Sequence, residues 1–412
     1  MFKTFIRNWL FVLIVILFNL FLSLRIPIRF FYYSFWFLIS IVSFSLAWIF
    51  IEYFSVKLSL ARKVIGKINE NETLEIEAIL ENKGFLPLFN LVLEDNLSCA
   101  LVGERKKQII QDYLGSGYSV KISYQCECVQ RGKYKLGPFS VYFFDPLNIF
   151  FFKKTYDVFS ELYVYPQAAV IKSFPSLSKG TLPWFGIETA RTSGDDDEFY
   201  GIRDYKQGDQ VKRIHWVSSA RKNRLIVKQF QQHKFLRATI LFNLENDVNL
   251  GEGKENISEY IIRIAAAVSK YLIGAGVSLE IIAHAQELVH IPSNRGSEHL
   301  EEILKFLTIA QAESRVSLAE VIEETARSIA NDSTLIVIMK DKDWEHLSTL
   351  LSLDKRNVSL IPLILISSTF LYTFDKREVV KDIAIKLSQT LNITPIIFSR
   401  GDNLGEIFLK YR

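Results

Sequence analysis

Two uncharged apolar stretches fall within the first 51 residues of this 412-residue chain, and they fix where the rest of it folds. Residues 9–24, WLFVLIVILFNLFLSL, hold only Asn19 and Ser23 as polar side chains. Residues 30–51, FFYYSFWFLISIVSFSLAWIFI, are again free of charge. A helix rises 1.5 Å per residue, so roughly 20 residues cross a hydrocarbon core of about 30 Å. The second stretch has that length, and the first reaches it with its ends in the interface. Aromatic side chains gather at the margins, at Trp9, residues 30–33, Trp48 and Tyr53, where amphipathic rings settle. Residues 23–27 offer no A-x-A-like cleavage pattern and a second apolar span follows at once, so a retained transmembrane hairpin is expected rather than a signal peptide. The outer flanks carry Lys3, Arg7, Lys57, Arg62, Lys63 and Lys67, and the connecting turn carries Arg25 and Arg29. The excess of positive charge on the outer flanks places both termini, and the soluble region, on the cytoplasmic side of a cell membrane.

Beyond the hairpin the pattern changes twice. Over residues 55–165, segments such as ETLEIEAIL (72–80) and SVKISYQCEC (119–128) alternate polar and apolar, and FSVYFF (139–144) is β-branched and aromatic. Period-two runs broken by Asn-Lys-Gly, Gly-Ser-Gly and Gly-Pro read as strands, and that many short strands suggest a β-sandwich-like domain. Residues 166–235 are charged, with few long apolar runs. Residues 236–412 alternate strand and helix signals. Strands are expected at 238–244, 277–285, 333–339, 358–365 and 393–398. Helices are expected at 257–276, 297–307, 318–330, 343–352 and 376–391. Such alternation argues an α/β domain with a mostly parallel sheet covered on both faces.

Composition closes several routes. A net charge of +4 over 412 residues gives no dense basic face, so nucleic acid is not an expected partner. The three cysteines, Cys99, Cys126 and Cys128, are too few and odd in number for a disulfide framework. Cys126 and Cys128 share one strand face without further ligands at metal spacing, so they read as ordinary strand residues. There is no phosphate-binding loop, no dinucleotide fingerprint, no H-E-x-x-H and no G-x-S-x-G. No cofactor is expected.

The most informative stretch is residues 194–230, GDDDEFYGIRDYKQGDQVKRIHWVSSARKNRLIVKQF. It resembles the signature of the family called domain of unknown function 58, whose pattern runs E-F-x-x-x-R-x-Y-x-x-G-D-x-x-x-x-I-H-W-x-x-S-A-R-x-x-x-L-x-V-K-x-F. Glu198, Phe199, Arg203, Tyr205, Gly208, Asp209, Ile214, His215, Trp216, Ser219, Ala220, Arg221, Leu225, Val227, Lys228 and Phe230 match it without a gap. RGKYKLGPFSVYFFDPLNIF (131–150) resembles the segment that precedes the signature in that family. Two N-terminal helices, a β domain, the signature and a von Willebrand A-like tail also follow the family order. The resemblance implies a membrane-tethered adaptor that partners a MoxR-type AAA+ ATPase in the assembly or maturation of other proteins. It implies no reaction.

Read from the residues alone, the same stretch is either an internal polar network or a docking surface. In the first reading Glu198 and Asp209 pair with arginines, while Tyr205 and Trp216 pack beneath. In the second, arginines and aromatics such as Arg203, Arg221 and Trp216 serve as interface anchors. An enzymatic reading would centre on His215 with Ser218 or Ser219 and Asp209, a hydrolase-like set lacking any marked oxyanion site. A von Willebrand A-like tail implies a Mg²⁺ site built from D-x-S-x-S after the first strand with a distant Thr and Asp. The matching positions here are Asn243, Glu245 and Asp247, with Asp341 after the strand at 333–339. Both hydroxyls are missing and Glu is longer than Ser, so a degenerate site with no metal is expected. A functional site would instead make the tail a Mg²⁺-dependent adhesion module.

Overall fold

A computed structural model describes residues 2–26, 28–175, 177, 187–207, 209, 211–246, 250–331, 333–346, 358–371 and 395–411. Of residues 2–8, 187–201, 229–235, 344–346 and 410–411 it describes the backbone alone. Gly208, Asp247, the expected helix at 376–391 and most of that at 343–352 lie outside the described residues. The chain divides into two compact units, Met1–Tyr165 and Pro166–Arg412.

The first unit begins with two helices, α1 (Phe2–Arg25) and α2 (Arg29–Ser55). By length and composition α2 can cross a bilayer, and α1 holds a shorter apolar run, Trp9–Arg25. The pair fits membrane anchoring. The one amide within the first apolar stretch is satisfied locally. Asn19 donates to the Val15 carbonyl at 3.0 Å and accepts from the Ser34 hydroxyl of α2 at 2.9 Å. Such bonds let polar side chains sit in an apolar medium, where an unmade bond is costly. Phe11, Phe18, Phe30 and Phe37 remain exposed on the outer faces.

Ten strands follow: β1 (Leu58–Ile65), β2 (Ile68–Asn69), β3 (Glu72–Asn82), β4 (Leu88–Asn96), β5 (Lys106–Leu114), β6 (Ser119–Cys128), β7 (Gly132–Leu136), β8 (Phe139–Phe144), β9 (Phe151–Tyr156) and β10 (Ser160–Tyr165). They form sheets of order β1-β3-β6, β5-β4-β8-β9 and β2-β10-β7. The alternation read at 72–80 is the burial pattern of β3. Leu74, Ile76, Ala78 and Leu80 point inward and meet Leu91 and Leu93 of β4 and Phe139, Val141 and Phe143 of β8 in one core. Each such side chain contributes about 1.5–3 kcal/mol on burial.

One ion pair lies inside this apolar core. Asp95 accepts from the Arg62 guanidinium through both oxygens and from the Tyr124 hydroxyl, and Arg62 and Asp95 have fully buried side chains. Arg62 also donates to the carbonyls of Leu136 (3.0 Å) and Val158 (3.3 Å) and lies over the Phe139 ring at 4.3 Å. The guanidinium fork thus ties β1 to β4 and to the connections leaving β7 and β9.

The second unit carries a long antiparallel pair, β11 (Ile187–Asp204) and β12 (Ile226–Phe235), with helix α3 (Trp216–Lys222) between them. Then comes a six-stranded sheet: β13 (Arg237–Asn243), β14 (Ser278–His284), β15 (Leu288–Asn294), β16 (Thr334–Lys340), β17 (Ser359–Leu365) and β18 (Ile396–Phe398), in the order β15-β14-β13-β16-β17-β18. All neighbours are parallel except β14 and β15. Inward positions alternate across the sheet. Ile240 and Phe242 pack with helices α4 (Ile257–Gly274) and α5 (Ser297–Ile309), and Leu241 packs with α6 (Leu318–Thr325). Double coverage explains why β13 and β16 are nearly continuous apolar runs. Helix α6 stops at Thr325, short of the expected 330, and β15 gave too weak an alternation to be expected.

Candidate functional site

The signature residues build a small, rigid device. Tyr205 N–H donates to the Leu225 carbonyl and His215 N–H to the Ile226 carbonyl, at 2.9 and 2.8 Å, so the connection from β11 to β12 is stitched along its length. Inside it, Arg203 grips Asp209 in a two-pronged bond, Nη1 to Oδ2 and Nη2 to Oδ1, each 2.6 Å. The Lys206 N–H adds a third bond to Asp209 at 2.8 Å. Three donors favour the carboxylate over the acid. Arg203, foremost, holds Asp209 down to about 2. Its folded value lies below the ordinary value near 3.9. The stabilisation it gives the turn is therefore complete above about pH 4 and lost as pH falls through about 2. A carboxyl ¹³C titration should show Asp209 with a midpoint near 2, returning toward the ordinary range in Arg203→Ala. An ordinary midpoint in the unaltered chain would show that the turn does not form.

His215 and Ser219 are both spent on the main chain. The His215 Nδ1 accepts from the Ser218 N–H at 3.1 Å and caps the start of α3. That bond makes Nε2 the protonated nitrogen of the neutral ring. The Ser219 hydroxyl donates to the His215 carbonyl at 3.0 Å and accepts from the Ile226 N–H at 2.9 Å. Ser219 is buried and locks the helix to β12. Asn223, in the left-handed region at φ 51°, ends α3. The His215 ring and Ser219, one of the two candidate nucleophiles, are thus turned to the backbone, and Asp209 belongs to Arg203.

What the device leaves outside is apolar and cationic. Trp216 is 63% exposed and Val217 61% on the first turn of α3, with Val211 and Leu225 exposed beside the connection. Arg221, Lys222 and Arg224 are exposed at its far end. Trp216, expected to pack beneath the polar network in one of the two readings, does not. Arg224 pairs at 3.0 Å with Asp204, both exposed, which is worth little in stability. Lys228 stands opposite Ile202 in the strand pair. The acidic run at 195–198, Glu198 included, falls where Gly194 and Phe199 both oppose Phe230 in the register. The side chain of Glu198 is outside the described residues.

The strand-end positions come together at a topological switch point. β14 and β16 flank β13 on opposite sides, and ligands of such sheets bind beyond the carboxyl ends there. Asn243 and Glu245 leave β13 at this place, and the residue that meets them is Lys340, the last of β16. Its Nζ is 2.6 Å from Glu245 Oε2 and 3.9 Å from Asp343. The other Glu245 oxygen accepts from the Asn243 amide and the Leu318 N–H, each at 3.0 Å. Asn243 also donates to the Val316 carbonyl at 2.6 Å. Asp341 accepts from the main-chain N–H and hydroxyl of Ser367 instead. These residues do not fit Mg²⁺. An ammonium holds the carboxylate that a divalent ion would need, and an amide presents its donor face to it. Lys340 was missed in the sequence because a lysine closing a strand looks like an ordinary solvated residue.

The three cysteines do converge. Their sulfurs all lie within 4.8 Å of one another, and Cys99 and Cys126 are 3.6 Å apart. Cys126 and Cys128 share a face as strand period requires, and Cys99 arrives from the turn after β4. Sulfur sets of this kind suit soft ions. The trio is buried in the core shared by β3, β4 and β8, where free thiols act as small apolar side chains.

Comparison with known proteins bears on the same stretch. Residues 201–365 match the family described as Protein of unknown function DUF58. Uncharacterized protein YeaD of Bacillus subtilis (strain 168) is 22% identical over 301 residues, covering 68% of this chain and 70% of that one. Both findings support the DUF58 family, and the match begins within the signature. Among solved structures, the CARDB domain of the PF1109 protein from Pyrococcus furiosus is 15% identical, with a TM-score of 0.20 over 26% of this chain and 93% of that one. Proximal thread matrix protein 1 from the mussel byssus is 13% identical, with a TM-score of 0.30 over 42% of this chain and 46% of that one. Scores this low carry no argument about fold.

Proposed function

We propose that this chain is a membrane-anchored interaction protein that presents the 203–228 device to a protein partner. On the DUF58 resemblance that partner is a MoxR-type AAA+ ATPase, served in the assembly or maturation of other proteins. In this reading α1 and α2 form a transmembrane hairpin with both termini in the cytoplasm. Residues 55–165 are a β-sandwich-like spacer, and residues 236–412 are a von Willebrand A-like scaffold that works without a metal.

The observation that carries the reading is the exposed Trp216 on a helix whose cap, buried serine and terminal asparagine all fix its position. A rigid aromatic loses little freedom on binding, and Trp and Arg are the commonest interface anchors. The His215 ring and the Ser219 hydroxyl are committed to holding it. A hydrolase centred on His215 would have to break the cap that orders α3. An adhesion module using Mg²⁺ would have to expel Lys340.

A photo-crosslinking residue in place of Val217, in membranes from cells expressing the full chain, tests this. The expected adduct is a AAA+ ATPase identified by mass spectrometry. Trp216→Ala should weaken binding of that ATPase by roughly 30-fold or more, the loss of an interface anchor worth about 2 kcal/mol. Unchanged affinity in a folded Trp216→Ala variant would remove Trp216 as the anchor.

A further inference from the structure

The contact between α2 and the β-rich part of the first unit sets the depth of a loop. The Ser45 hydroxyl of α2 donates to Asp145, in the connection from β8 to β9. Trp48 meets Phe89 of β4 at 6.0 Å between ring centres, and Tyr53 meets Phe152 of β9 at 5.3 Å. At 1.5 Å per residue, Ser45 lies at most about 24 Å along the membrane normal from Arg29, where α2 begins. A hydrocarbon core is about 30 Å thick. Tilting the helix, or letting Arg29 reach out into the headgroups, leaves Ser45 deeper still. Helix α1 agrees, since Arg7 lies about 27 Å from Arg25 by the same rise. The partner of Ser45 is therefore carried to the near boundary of the acyl chains.

An irregular loop survives at that depth only if its own backbone is satisfied, and the N–H groups of this loop are. Asp145 accepts from the N–H groups of Leu147 (3.0 Å), Ile149 (2.8 Å) and Phe150 (2.6 Å). Its carbonyl accepts from Asn148 at 2.9 Å, and its own N–H donates to the Phe150 carbonyl at 3.3 Å. Residue 146 is proline and has no N–H to satisfy. Every backbone donor from 145 to 150 thus has a partner within the loop. The carboxylate that does this work is itself fully buried, while Leu147 is 51% exposed at the tip. Lys153 and Lys154 follow on the edge strand β9, both exposed and on its two faces, with Lys153 over the Tyr142 ring at 5.3 Å.

We infer that residues 145–152 form a second, monotopic membrane contact. The tip, apolar but for the exposed Asn148, enters the boundary between headgroups and acyl chains, and Lys153 and Lys154 engage anionic lipid headgroups. The occupant of this surface is the bilayer that holds α2, because the loop is joined to the helix through Ser45 and Tyr53. The loop fixes the β-rich part against the membrane rather than leaving it on a free tether. This rests on the anchoring of α2.

Full-length protein in vesicles of phosphatidylcholine and phosphatidylglycerol, labelled with bimane at one introduced cysteine, tests it. The positions are Leu147→Cys, Phe37→Cys on α2 and Val102→Cys in the turn after β4, at the opposite end of that strand. The three native thiols are buried, and label on a cysteine-unaltered control sets the background. Spin-labelled lipid should quench Phe37→Cys and Leu147→Cys strongly, and Val102→Cys little. Aqueous iodide should give the reverse order. Quenching of Phe37→Cys by lipid with Leu147→Cys open to iodide would overturn the inference while leaving the anchor intact. Absence of lipid quenching at Phe37→Cys would overturn the anchor and the inference with it.

Discussion

Arg62→Ala should destabilise the β-rich unit by about 3–5 kcal/mol, because it leaves a buried carboxyl, Asp95, which burial already pushes above the ordinary range, without the cation it is held by. The loss is larger than that of a surface pair for two reasons. Both side chains are fully buried, and Arg62 also satisfies the Leu136 and Val158 carbonyls. The double variant Arg62→Met with Asp95→Leu removes both charges together and should recover most of that loss. Denaturant unfolding of the detergent-solubilised chain, followed by circular dichroism in the β region, measures both. A single variant within about 1 kcal/mol of the unaltered chain would show that water reaches the pair.

The second large effect is expected at the strand ends. Lys340→Ala strips Glu245 of its only cation among the described residues, at a site where both side chains are less than a fifth exposed. The expected cost is about 2–4 kcal/mol, somewhat below that of a fully buried pair. The variant also tests the reading of the site. With the ammonium gone, Glu245 Oε2 and the buried Asn243 Oδ1, which accepts no hydrogen bond, are the oxygens left to meet a cation. Mg²⁺ should then raise the melting temperature of Lys340→Ala and leave the unaltered chain where it was. A rise in the unaltered chain that Lys340→Ala abolishes would reverse the assignment.

These two lysine and arginine side chains mark what the sequence conceals. Arg62 looks like one of several positive charges flanking a membrane span, and its partner lies 33 residues away. Nothing local announces that it turns inward. Lys340 is hidden the same way, since Glu245 lies 95 residues away. By contrast, period and punctuation reported well wherever one face is buried. The alternation at 72–80 is β3, the apolar run at 238–244 is β13, and the glycine-terminated stretch at 257–276 is α4. Residues 187–204 escaped because their charges and small residues show no period, although the backbone pairs them with β12. In the signature, Arg203 with Asp209 is the acid–base pairing expected of an internal network, while Trp216 points out as a docking surface requires. The two readings are compatible, because a turn has to be held internally before it can present anything externally.

Membrane attachment is the claim on which the rest depends, and alkaline carbonate extraction tests it most directly. Membranes from cells making the full chain, washed at high pH, should retain it in the pellet and release it only with detergent. Recovery of the intact chain in the carbonate supernatant would contradict the account.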